Sequence, residues 1–306
     1  MARQIGGIRA RLEYGGIALL GSGLGVLPLE RAIVAGARLG DIAMALDRFN
    51  RPVAMRNLEI AFPELGSGAR LEILRATYRN WGRMIAEWTH FGELTRENIK
   101  RFVTYDAREH WDEAQRISNG RGILAFTGHF GNFELLVVGH SAYGNRIAMI
   151  NRELRNPLID RQVCKARTAF GAVLVPRKGG AKQVLKLLRD NFMVTVPLDL
   201  DVRKGVFVDF FSLKAATSDA LARFAIATGA PVLPAFMVRQ GESARHKITL
   251  LPVIETVRSS DRDEAVRENT QRYQAAIETM VRRHPDHWNW IHRRWKTRPP
   301  GESRFY

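Results

Sequence analysis

The sequence predicts an α/β fold: a mixed, largely parallel sheet flanked by helices, preceded by an N-terminal helical, membrane-associated segment. Three observations lead there. From about residue 102 onward, short apolar runs alternate with helical stretches, which is the pattern of βαβ units. The first hundred residues carry helical rather than strand periodicity. The chain has 306 residues, 45% of them hydrophobic, which is ample for a packed core.

In chain order, the first feature is an uncharged run from Tyr14 to Leu29, bounded by Glu13 and Glu30 and containing five glycines and Pro28. It is shorter than the roughly 20 residues a spanning helix needs. Arg3, Arg9 and Arg11 precede it, which favours a cytoplasmic N-terminus if the run inserts. A buried helical hairpin and a shallow membrane anchor both fit. A cleaved signal peptide fits less well, because glycines break the run and charges follow it. Residues 1–50 are thus read as an N-terminal helical segment, either a buried hairpin or a membrane anchor, and residues 51–306 as the main domain.

A helix is expected around Arg56–Phe62, closed by Pro63 and Gly66-Ser67-Gly68. The next, Gly68–Phe91, places Leu71, Ile73, Leu74, Tyr78, Trp81, Met84, Ile85 and Trp88 at near-helical spacing. Strands are expected at Ile123–Phe126, Arg146–Ile150, Val173–Val175, Met193–Pro197, Val206–Phe210 and Val232–Val238, with a later one at Ile248–Pro252. Helices are expected at Asn132–Ala142, Pro157–Phe170, Ala181–Asp190 and Ser218–Thr228, and a long one at Arg262–Arg283 that stops at His284-Pro285. No fixed-period repeat and no linker divides the chain.

The charge is unusual: 47 Lys plus Arg against 31 Asp plus Glu, a formal net charge of +16. Such a surface attracts polyanions, whether nucleic acid, anionic lipid headgroups or an acidic protein. Cys164 is the only cysteine, so neither an intrachain disulfide nor a cysteine-based metal site can form. That agrees with a reducing compartment.

The sharpest chemistry lies in GRGILAFTGHFGNFELLVVGH, residues 120–140. A short strand leads through Gly128 to His129, and a helix opens at about Asn132. His129 thus sits at the carboxyl end of a strand, where catalytic groups of open α/β sheets gather. Glu134 is five residues on. On one continuous helix the two would point about 140° apart, so they meet only if His129 lies on the turn. A carboxylate on one imidazole nitrogen would fix the tautomer and leave the other nitrogen to accept a proton. No Ser or Cys lies in the turn, so the nucleophile would be a substrate hydroxyl. A His in a glycine-rich turn is also common as a surface or capping residue, and Glu suits any first helical turn.

Four further features are candidates. Arg167 shares a helix with Arg161 and Lys165 and could hold an anionic group or a developing oxyanion. Asp199 and Asp201 fall on one side of an extended segment. With no third ligand evident, neither a metal nor a cofactor is expected. Gly205–Phe211 is a core strand or the lining of an apolar ligand pocket. Trp288, Trp290 and Trp295 alternate with Arg293, Arg294, Lys296 and Arg298, a combination suited to burial, to a membrane interface or to nucleic acid. His284, His287 and His292 lack ligand spacing, and His140 reads as a satisfied histidine.

The motifs together resemble a known family. HFGNFE (His129–Glu134) is similar to the His-and-acid motif of lysophospholipid acyltransferases. NRELRNPLIDRQVCKARTAFG (Asn151–Gly171), PLDLDVRKGVFVDFF (Pro197–Phe211) and HPDHWNWIHRRWKTRP (His284–Pro299) resemble segments of the bacterial lipid A late acyltransferases. So do Arg56-Asn57-Leu58 and Phe62-Pro63-Glu64, and the likeness runs from about residue 5 to the end. The resemblance implies transfer of a fatty acyl chain from acyl carrier protein to a hydroxyl of a lipid A precursor, at the cytoplasmic face of the cell inner membrane. It implies His129 as catalytic base with Glu134 as its acidic partner. It also implies Arg167, Asp199, Asp201, Asn151 and Arg152 as supporting or substrate-binding residues. A related branch uses acyl-CoA and acylates phosphatidylinositol mannosides or other glycolipids. The rival of a different class is a basic nucleic-acid-binding module with its C-terminal aromatics exposed; the resemblance implies no nucleic acid.

Overall fold

A computed structural model describes residues 6–306; Arg3 lies outside the described residues. The N-terminal part is helical, as the periodicity predicts: α1 (Gly7–Gly25), α2 (Leu29–Leu46), α3 (Arg51–Ala61) and α4 (Ser67–Thr89). Pro28 sits at the start of α2, where its missing N–H costs nothing. α2 and α4 pack backbone to backbone. A Cβ placed on Gly82 would lie 1.9 Å from the Gly36 carbonyl oxygen, and one on Gly40 would lie 2.2 Å from that of Tyr78.

There follow β1 (Val103–Asp106), α5 (Glu109–Ser118), β2 (Ile123–Thr127), α6 (Phe133–Ala142), β3 (Ile147–Asn151), α7 (Pro157–Arg167), β4 (Val173–Pro176), α8 (Ala181–Arg189) and β5 (Met193–Pro197). The chain continues with β6 (Val206–Phe210), β7 (Leu213–Thr217), α9 (Ala220–Thr228), β8 (Val232–Arg239), β9 (His246–Leu250) and α10 (Arg262–Arg283). Seven strands form one sheet in the order β1-β9-β8-β2-β5-β3-β4. Only the β8–β9 pair is antiparallel within it, which makes the sheet mixed and largely parallel.

The sheet is buried on both faces, and the side-chain period of two divides its residues between two cores. Leu124, Phe126, Val194, Val232 and Phe236 face a core shared with α9 and α10. Ile123, Ala125, Met193, Leu233 and Ala235 face a second core shared with α5 and α6.

One expectation needs correction. The run Val206–Phe210 is not part of the main sheet but pairs with β7 as a separate antiparallel hairpin. Its turn residues Phe211 and Ser212 have φ of 49° and 61°, so the chain makes a primed-type turn without the usual Asn-Gly signal. Packing holds it: Phe211 lies edge-on to Phe62, under the Arg282 guanidinium, and its N–H donates to Glu278. Val208, Phe210 and Phe211 are core residues of that hairpin. The segment Val103–Ser118, to which the residue pattern assigns no element, folds as β1 and α5.

Candidate active site

The sheet register builds the site. β2 and β5 are parallel neighbours with Thr127 opposite Pro197, and the Leu198 N–H continues the ladder to the Thr127 carbonyl at 2.9 Å. Two residues past each strand end come His129 and Asp199, side by side at the carboxyl edge of the sheet. Asp199 Oδ1 lies 2.8 Å from His129 Nδ1. Asp199 Oδ2 accepts the backbone N–H of His129 at 2.6 Å and the indole N–H of Trp288 at 2.9 Å. Gly128 permits this approach, since a Cβ there would stand 3.1 Å from Asp199 Oδ2.

The electrostatics follow from this geometry. Burial pushes the Asp199 carboxyl upward, but the His129 imidazole and the donors around it pull it down to about 2. For His129, burial disfavours the charged ring, while the charge and hydrogen bond of the Asp199 carboxylate, together with the charge of Glu134, outweigh it; Arg167 opposes them. The imidazole pKa therefore lies above its usual value. In the neutral ring, with Nδ1 donating to Asp199, Nε2 carries the free lone pair. It has no hydrogen-bond partner among the described residues, and the side chain is 23% exposed.

Glu134 does not make the expected bond to His129. Asn132 caps α6 through the Leu135 N–H, and Gly131, at φ 54°, turns the chain just before it. A Cβ on Gly131 would lie 2.0 Å from the Met237 carbonyl oxygen. This turn sends Glu134 towards α7 and His129 towards β5. Glu134 receives Arg167 in a two-pronged pair, with Nε to Oε2 at 2.6 Å and Nη2 to Oε1. Arg167 Nη1 donates to Asn151 Oδ1 at 2.5 Å, at the end of β3. Three of the five guanidinium N–H groups are thus engaged. Arg167 is a buried member of the site, while its helix neighbours Arg161 and Lys165 are exposed.

Asp201 is placed elsewhere. Its carboxylate accepts the N–H and hydroxyl of Thr297, at 2.9 and 3.0 Å, and its own N–H donates to His292 Nε2 at 2.9 Å. Extended geometry ends at β5, so the two aspartates part company: Asp199 holds the imidazole and Asp201 fastens the C-terminal segment. Arg152 is exposed just past β3. Among the described residues no three metal-ligating side chains cluster.

The C-terminal tryptophans are core residues. Trp288, Trp290 and Trp295 are at most 1% exposed, and Trp288 packs edge-on against Trp290 and Phe210. They offer no stacking platform, which removes the aromatic part of the sequence argument for a nucleic-acid module. Two participants escaped the sequence reading. Trp288 is one, visible there only as an aromatic. The other is Glu87 on α4, which binds Asn132 Nδ2 at 2.8 Å and is paired with Arg239 and His246 in the interior. Gly128 was the available clue to the Asp199 contact.

The chain has clear relatives. The family model for bacterial lipid A biosynthesis acyltransferases matches residues 10–297. The chain is 26% identical over 272 residues to the lipid A biosynthesis myristoyltransferase of Escherichia coli strain K12, covering 88% of this chain and 82% of that one. It is 25% identical over 295 residues to the palmitoleoyltransferase of the same organism, covering 93% of each. It is 28% identical over 281 residues to the lauroyltransferase, covering 90% and 88%.

Proposed function

The chain belongs to the bacterial lipid A biosynthesis acyltransferase family and is an O-acyltransferase acting on a lipid acceptor; on that footing we propose that His129 is the general base, that the donor is an acyl carrier protein thioester, and that the acceptor is a lipid A precursor hydroxyl. The observation that carries the reading is the imidazole itself, with Nδ1 tied to a buried carboxylate and Nε2 free at a partly open surface. Nε2 takes the proton of the acceptor hydroxyl as its oxygen attacks the thioester carbonyl. The tetrahedral intermediate then collapses, the carbon–sulfur bond breaks, and the imidazolium returns the proton to the departing thiolate. Asp199 stabilises the imidazolium in between. A positioned base of this kind contributes about 10²–10⁴-fold.

In this mechanism Glu134 acts through Arg167 and through its charge, rather than as the hydrogen-bond partner of the base. It fixes the guanidinium, whose unused N–H groups are available to the substrate or the developing oxyanion. Asn151 holds the same guanidinium from β3, and Arg152, next to it in sequence, adds an exposed positive charge. The net charge of +16 supports recruitment of an acidic carrier protein and docking to an anionic surface.

Localisation at the cytoplasmic face of the inner membrane is part of the same proposal. No helix among the described residues is long and apolar enough to cross a membrane. Instead α1 and α2 expose Ile8, Leu12, Ile17, Leu19, Val34 and Ile42, while Asn156 at the start of α7 donates to the Ala10 carbonyl at 2.9 Å. That supports residues 1–50 as an interfacial anchor leading towards the site.

The test is incubation of purified protein with carrier-protein thioesters and a lipid A precursor, read by mass spectrometry. We expect one added acyl chain with wild type and none with His129→Ala. Transfer from acyl-CoA alone would replace the carrier protein as donor, and full activity of the Ala variant would overturn the mechanism.

A further inference from the structure

The segment His287–Asn289 lies along the loop that carries His129, and the two are tied at several points. The Gly131 N–H donates to the His287 carbonyl at 2.8 Å, the Asn289 N–H donates to the His129 carbonyl at 3.1 Å, and Phe130 and Trp288 form an antiparallel bridge. The last tie runs through a side chain, from Trp288 Nε1 to Asp199 Oδ2 at 2.9 Å.

This arrangement has two consequences. The backbone ties fix where the loop sits, because each satisfies a polar group that water would otherwise solvate. The indole tie does more, since it fixes the carboxylate that orients the base. Asp199 Oδ2 is shared between the His129 backbone and Trp288, so its position depends on both. Trp288 is itself buried, packed between Trp290 at 4.6 Å and Phe210 at 5.4 Å. An indole N–H is a donor only, so the contact cannot reverse, and it stabilises Asp199 as the anion.

We propose that Trp288 is a positioning residue for the acyl transfer, one that aims and partly neutralises the Asp199 carboxylate so that His129 is held as a neutral base with Nε2 free. The inference rests on the reading of His129 as base. Without the indole donor, the Asp199 charge falls more fully on the imidazole and the ring holds its proton to higher pH. The other charged groups facing the pair are Glu134 on α6, Arg167 on α7, and His292, Arg294 and Asp201 around the C-terminal segment. None of them changes in the experiment.

The experiment compares wild type, Trp288→Phe and His129→Ala in the acyl-transfer assay over a pH series, with thermal unfolding recorded alongside. Trp288→Phe keeps an aromatic ring in the pocket and removes the donor. We expect kcat at neutral pH to fall about five- to tenfold, within the scale of one typical hydrogen bond, with KM unchanged and the acid limb of the profile displaced to higher pH. Should the Phe variant fail to fold, site-specific benzothienylalanine at position 288 removes the N–H while keeping the bicyclic shape, and the same shifts are expected. An inactive His129→Ala together with a Trp288 variant of wild-type kcat and acid limb overturns this inference alone. An active His129→Ala overturns the reading beneath it.

Discussion

Replacing Asp199 by Asn is the substitution that most directly probes the site, because it changes one atom and two hydrogen-bond roles. Oδ2 accepts two donors, the His129 N–H and the Trp288 indole. The amide oxygen of Asn must take that place, since an NH₂ there would face two donors. The NH₂ then points at His129 Nδ1, 2.8 Å away, and Nδ1 must become an acceptor. The imidazole therefore switches tautomer, its hydrogen moves to Nε2, and the lone pair that would take the acceptor's proton is lost. The charge that stabilised the imidazolium is lost too. The whole general-base contribution is at stake, about 10²–10⁴-fold in kcat, which corresponds to about 3–5 kcal/mol of barrier. Two further effects accompany it. With the carboxylate gone, the largest influence raising the His129 pKa disappears, so the residual activity should show an acid limb at lower pH than wild type. The variant should also still fold, because every neighbouring donor keeps a partner. Steady-state rates with a carrier-protein thioester over a pH series, together with a thermal melt, measure all three quantities. An Asn variant with wild-type kcat and an unmoved acid limb would refute the assignment of Asp199 as partner of the base.

Three other expectations come from different parts of the molecule. Arg167→Ala leaves the buried Glu134 carboxylate without its cation and should cost about 3–5 kcal/mol of stability; the double variant Glu134→Gln with Arg167→Met should unfold at lower denaturant concentration than wild type but higher than the single one, and equal midpoints would count against a desolvated pair. Gly82→Ala puts a methyl 1.9 Å from the Gly36 carbonyl oxygen and should destabilise by about 1–3 kcal/mol or more, seen as a lower melting temperature; an unchanged value would mean that α2 and α4 are not packed this closely. Burial holds the His140 pKa down at about 3, below the usual 6.5, so the unfolded chain binds a proton that the folded protein refuses. Its contribution is complete above pH 6.5 and is lost as pH falls towards 3, at up to about 1.4 kcal/mol per pH unit. His140→Leu should flatten that part of the stability profile, and an identical acid slope in both proteins would exclude His140 as its source.

Residue pattern alone determined the fold class, most of the strands and helices, and the position of His129 just beyond a strand. These are local properties: apolar period, glycine and proline punctuation, and a polar residue between a strand and a helix. The family likeness picked out Glu134, Arg167, Asp199 and Asn151 as a set, but not which touches which. Pairing was decided by the sheet. Strand β5 lies beside β2 although β3 and β4 intervene in sequence, and its register, Thr127 opposite Pro197, carries Asp199 rather than Glu134 to the imidazole. Nothing local encodes that neighbour, because strand order is set by the crossover connections between strands distant in sequence. Burial of Trp288 and its bond to Asp199 are likewise tertiary facts, since a tryptophan among arginines reads the same from sequence whether it faces solvent or the core. Residue chemistry is written along the chain, whereas the partner of each charged group depends on which segments the packed layers bring within about 3 Å of one another.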